Sequence, residues 1–110
     1  MAKSKNDALH GSLDLLVLKT LDSGPMHGWA IAQRIHQMSG DVLQVGQGAL
    51  YPALHKLENN GWISSEWAQS ENNRRAKYYT LTADGKNALL VESKQWERLS
   101  VAIARVVGAV

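Results

Sequence analysis

The sequence predicts a mainly α protein with a two-stranded β-hairpin and a long C-terminal helix, and three observations predict it. In the stretch GQGALYPALHKLENNGWI, residues 46–63, Leu50, Ala53, Leu54 and Leu57 recur at helical spacing before Asn60-Gly61 stops the run. Trp62–Trp67 and Lys77–Leu81 are rich in strand formers and flank the polar stretch Gln69–Arg74. From Ala83 to about Val107 no proline intervenes, which allows roughly 37 Å of continuous helix.

Length and composition bound what else the chain can be. Its 110 residues suffice for one domain, and 45% hydrophobic with 20% charged residues lies in the ordinary globular range. The absence of cysteine excludes disulfides and thiolate metal sites. His10, His27, His36 and His55 lack ligand-like spacing, so neither a metal nor a cofactor is expected. No apolar run approaches the ~20 residues needed to cross a bilayer, and the leading MAKSKNDALHG lacks a signal-peptide core, so a cytoplasmic protein with no membrane partner is expected. The net charge of +2 is a mild basic excess, but Arg74, Arg75 and Lys77 cluster in one stretch. Enzymatic chemistry has little to stand on. Gly46-x-Gly48 lacks the lysine and hydroxyl residue of a phosphate loop, and Ser, His and Asp occur without a strand framework to gather them.

Taken in order, residues 1–9 read as a flexible tail, residues 10–82 as the domain that carries the hairpin and residues 83–110 as the long C-terminal helix. Ser12 can cap a first helix, with Leu13, Leu16, Val17 and Leu21 inward. Leu15 and Leu18 widen that stripe beyond what one small core needs, so both are expected at an interface with a second chain. Asp22–Gly28 is a turn, and a second helix covers about Trp29 to Met38 with Ile31, Ala32 and Ile35 inward. The third helix starts near Gly48 or Ala49, because the Pro52 ring meets the carbonyl of Gly48. Thr82 caps the last helix, and Asp84 suits its first turn. In that helix Leu89, Trp96 and Ile103 fall seven apart, with Leu99 and Val106 between them. This heptad-like seam predicts a homodimer.

Helix, helix, helix, hairpin and long helix is the layout of a winged helix-turn-helix, whose third helix enters the DNA major groove. In that frame Gln47, Tyr51, His55 and Lys56 can reach bases or phosphates of a double-stranded operator, and the wing offers Asn73, Arg74, Arg75 and Lys77. The alternative is a winged-helix module that binds only protein. Trp96 carries two readings. It is a packed anchor, or it faces its own copy across the dimer axis and makes a flat slot for a small planar aromatic effector.

Gly11–Lys19, Gly24-Pro-Met-His-Gly28, the Ala49-Leu-Tyr-Pro-Ala-Leu block, Gly61-Trp-Ile63 and Arg74-Arg-Ala-Lys-Tyr-Tyr-Thr-Leu-Thr82 resemble the PadR-type transcriptional regulators over roughly residues 10–90. The resemblance implies a dimeric DNA-binding protein, most often a repressor released by a small ligand bound at the dimer interface. It also implies DNA contacts around Tyr51 and at Arg74, Arg75 and Lys77. The single helix after the wing is similar to the compact members. Trp29 stands where a tyrosine is common, and Ala76 interrupts what is often an unbroken basic run.

Overall fold

The computed structural model describes the backbone of residues 7–108 and the side chains of residues 12–108. Most of the expected N-terminal tail and the last two residues therefore lie outside the described residues. The first helix, α1 (Asp7–Leu21), starts five residues ahead of the expected Ser12 cap. Leu13, Val17, Leu18 and Leu21 are buried, and Leu15 and Leu16 are half-buried against the same core. This corrects the interface reading of Leu18. With no exposed surface left it is a core residue of its own chain and has nothing to offer a second one. Thr20 is buried too, and its hydroxyl donates to the Leu16 carbonyl at 2.7 Å, which removes the penalty of an unmade hydrogen bond.

The predicted turn after α1 does more than reverse the chain. Met26–His27 forms a short strand, β1, that pairs antiparallel with Tyr79 and Tyr78 of a later strand. The hairpin is thus one part of a three-stranded sheet in the order β1-β3-β2. Helix α2 (Gly28–Met38) follows at once, and the ring of His27 caps it by accepting the Ala30 N–H at Nδ1, 3.2 Å away. Ile31 and Ile35 are buried. At its far end Gly40, at φ 66°, lets the Asp41 N–H reach the His36 carbonyl at 2.9 Å, and the Ser39 hydroxyl accepts the Leu43 N–H at 2.9 Å. These bonds hold the connection that aims the next helix.

Helix α3 (Gln47–Asn59) begins one residue before the expected start, and Leu50, Ala53, Leu54 and Leu57 are buried as its spacing required. Its end is a Schellman motif: Gly61, at φ 75°, donates to the Glu58 carbonyl, and the Trp62 N–H reaches the Leu57 carbonyl, each at 3.0 Å. Strands β2 (Ile63–Gln69) and β3 (Arg75–Leu81) then pair antiparallel from Ile63↔Leu81 out to Gln69↔Arg75. Between them the turn closes through the Asn73 N–H to the Ser70 carbonyl, 3.0 Å, with Asn73 itself at φ 63°.

The last helix, α4 (Ala83–Gly108), runs 26 residues. The Thr82 hydroxyl caps it by accepting the Gly85 N–H at 3.0 Å, and ties it to the turn after α3 by donating to the Gly61 carbonyl at 2.7 Å. Gly85 and Leu89 are buried; beyond them the helix leaves the body, and the molecule measures 55 × 30 × 27 Å. Leu89 is a second correction. It was expected in the dimer seam, yet it is 7% exposed and belongs to the buried core of its own chain. Trp96, Leu99, Ile103 and Val106, in contrast, are 47%, 52%, 49% and 77% exposed. The fold class is the expected one, four helices of which the last is long and a small sheet with a wing, except that the sheet has a third strand, β1.

Candidate nucleic-acid interface

Burying Leu50, Ala53, Leu54 and Leu57 fixes the rotation of α3. Gln47, Tyr51 and His55, four residues apart, then form one exposed ridge along it. Tyr51 is 46% exposed, and its ring lies over Gly28 at the start of α2, where a Cβ would meet the phenol oxygen at 2.9 Å. Glycine at that position leaves the ring its place.

Lys56 does not join the ridge. It lies on the flank of α3 that faces α1, and its Nζ is 2.7 Å from Asp14 Oδ2. The hydrogen bond that Lys56 donates to Asp14, then the Asp14 charge, raises the ammonium pKa above the usual lysine value, with a smaller contribution from Glu92. The pair is solvent-exposed, so it directs the side chain more than it stabilises the fold. Lys56, expected at the DNA, is thus also a tie between α3 and α1.

At the wing the four expected residues divide. Arg74 and Arg75 are exposed, and among the described residues neither forms an ion pair with a carboxylate. The Arg75 guanidinium lies 5.5 Å from the centre of the Trp67 ring. Lys77 turns inward instead, with its Nζ 3.7 Å from Glu58 Oε1 and 5.8 Å from the Tyr79 ring centre. Glu58 also accepts the Ser65 hydroxyl, so it links the end of α3 to the sheet. Burial pushes the Tyr79 phenol pKa up, and the Glu58 charge adds to that. Lys77 is therefore half-spent on internal partners. Asn73 holds the left-handed turn position, and its amide oxygen accepts from Gln69, which makes it a builder of the tip.

Two clefts flank Tyr51. One, of about 530 Å³, opens between the wing, α3 and the start of α2 and is lined by His27, Trp29, Tyr51, Trp67, Arg75 and Lys77 among others. The other, of about 310 Å³, lies between α2 and α3, and Gln33, Gln44 and Gln47 line it together with Trp29, His36 and Tyr51 among others. Together they make a continuous surface of cations, amides and ring faces. This is suited to an anionic polymer with flat bases. Sequence reasoning missed Trp29 and Trp67, which are 65% and 59% exposed. The signal for Trp67 was its parity: it shares a sheet face with Ile63 but lies two rungs farther along. Among the described residues no cluster of His, Asp and Glu is placed to hold a metal, and no helix is long and apolar enough to cross a membrane.

A helical body with a basic hairpin beside its third helix, and a fourth helix projecting from it, defines a winged helix-turn-helix protein. Residues 17–90 match the model of the transcriptional regulator PadR-like family. The chain belongs to that family and is a transcriptional regulator. It is similar in structure to a transcriptional regulator from Clostridium thermocellum, with a TM-score of 0.81, 27% identity, and 90% of this chain and 96% of that one covered. A PadR family transcription regulator from hypervirulent Clostridium difficile superposes with a TM-score of 0.74 at 26% identity, covering 87% of this chain and 98% of the other. An uncharacterized protein from Lysinibacillus sphaericus is 26% identical over 92 residues, 84% of each chain.

Proposed function

We propose that this regulator binds a double-stranded DNA operator as a homodimer and acts as a cytoplasmic repressor released by a small planar aromatic effector. The observation that carries the DNA reading is the exposed ridge of Gln47, Tyr51 and His55 on a helix pinned by its other face, with Arg74 and Arg75 on the wing beside it. The ridge reads base edges, and the wing arginines bind phosphate or the minor groove. Lys56 and Lys77 have smaller shares, since Asp14 and Glu58 already hold them.

Titrating DNA binding against salt tests this. Arg74→Ala with Arg75→Ala is expected to weaken binding to every sequence and to flatten the salt slope by about 0.9 for each phosphate that is no longer neutralised. Tyr51→Ala is expected to lose more affinity for the operator than for random DNA. Equal losses on both would show that Tyr51 does not read sequence. A wild-type protein without salt-dependent binding would leave the protein-only module as the better reading.

The homodimer rests on the exposed seam of Trp96, Leu99, Ile103 and Val106, joined by the half-buried Leu15. Trp96 is 47% exposed, so its own chain does not enclose it and an indole face is available to a partner or a ligand. An effector wedged there changes the separation of the two reading helices, provided it favours one arrangement over the other. Trp96→Ala separates the two roles. As a ligand platform, the variant stays dimeric and DNA-bound but no longer responds to planar aromatic compounds. A variant that dissociates, or loses about 3 kcal/mol of stability or more, identifies Trp96 as an interface anchor.

A further inference from the structure

We propose that Trp67 is the positioning residue that holds the Arg75 guanidinium ready for the DNA backbone, an inference that rests on the DNA-binding reading above. One face of the hairpin carries four successive rungs: Ile63 with Leu81, Ser65 with Tyr79, Trp67 with Lys77, and Gln69 with Arg75. Ile63, Leu81 and Tyr79 are buried in the core, but Trp67 lies past its edge at 59% exposed. Burial does not explain an indole there.

Its neighbours do. Each cation on this face leans one rung inward over an aromatic ring. Lys77 leans over Tyr79 with 5.8 Å to the ring centre, and Arg75 over Trp67 with 5.5 Å. The two then differ in what they meet. Lys77 ends 3.7 Å from the Glu58 carboxylate, whereas Arg75 has no such ion pair among the described residues.

Packing a guanidinium face on an indole leaves the N–H donors on its edge pointing outward, and those edges are what bind a phosphate in a fork. A long side chain already held in one place also loses less freedom on binding. Because Arg75 and Trp67 both line the cleft beside Tyr51, the held cation sits at the entrance to the reading helix. A lysine at residue 75 would lack the planar group that makes this stacking and forking compatible.

A double-mutant cycle on a random-sequence duplex, read at several salt concentrations, tests the assignment. Trp67→Ala is expected to weaken binding about two- to five-fold, the range of an exposed cation–π contact. It should add no loss in an Arg75→Ala background. Trp67→Tyr, which keeps a ring on the strand, should restore most of the affinity and also serves if the alanine variant folds poorly. Equal losses from Trp67→Ala with and without Arg75, or no loss in either background, would overturn the proposal. A wild-type protein showing no salt-dependent duplex binding would instead remove the DNA-binding reading on which it rests.

Discussion

Leu99→Asp combined with Ile103→Asp is expected to yield a folded monomer that no longer binds the operator. Both residues are about half-exposed and stand four apart on α4, flanked by Trp96 and Val106 in the same seam. Neither belongs to the buried core, so the winged body has no internal reason to unfold. Two carboxylates in an apolar interface would have to be desolvated without partners, which disfavours association strongly. Operator binding falls with it, because paired half-sites lie about 34 Å apart and need two reading helices held together. Sedimentation of the variant against wild type at micromolar concentration measures this. A wild-type chain that sediments as a monomer would remove the homodimer from the proposed function.

Gly85→Ala is the second large effect, and its sign runs against intuition. Alanine inside a helix is ordinarily favoured over glycine by about 0.5–1 kcal/mol. Here a Cβ would stand 1.9 Å from the Trp62 carbonyl oxygen and 2.7 Å from Leu81 Cδ1. That carbonyl already accepts the Thr82 N–H at 3.0 Å, so it is not free to move aside. The first turn of α4 would have to lift off the body, taking with it the Thr82 cap on the Gly85 N–H. A loss of about 1–3 kcal/mol, the usual range for overpacking, is expected in urea unfolding. Gly48→Ala is the control. It is also helical, has nothing within 4 Å of its Cβ position, and is expected to be neutral or stabilising. A Gly85→Ala variant as stable as wild type would show that α4 does not approach Trp62 so closely.

The sequence by itself determined the order and kind of the main elements, because each is written in local chemistry. Spacing alone marked Leu50, Ala53, Leu54 and Leu57 as the buried face of α3, and that orientation left Tyr51 and His55 outward. Gly61 and Thr82 marked the end of one helix and the start of another through preferences that depend only on the adjoining backbone. What only the tertiary structure decided are the matters that turn on a neighbour distant in the chain. Two residues are too few to show alternation, so β1 exists because β3 passes beside it, and His27 became a cap as the chain turned there. Periodicity showed that Leu18 and Leu89 face something apolar, but could not tell an internal partner from a second chain; both are filled from within. The long side chains were the least legible. Lys56 finds Asp14, 42 residues away, and Lys77 finds Glu58, while Arg75 finds the ring of Trp67. A flexible cation goes to whichever anion or ring the fold brings within reach, and that proximity is created by packing rather than by any pattern along the chain.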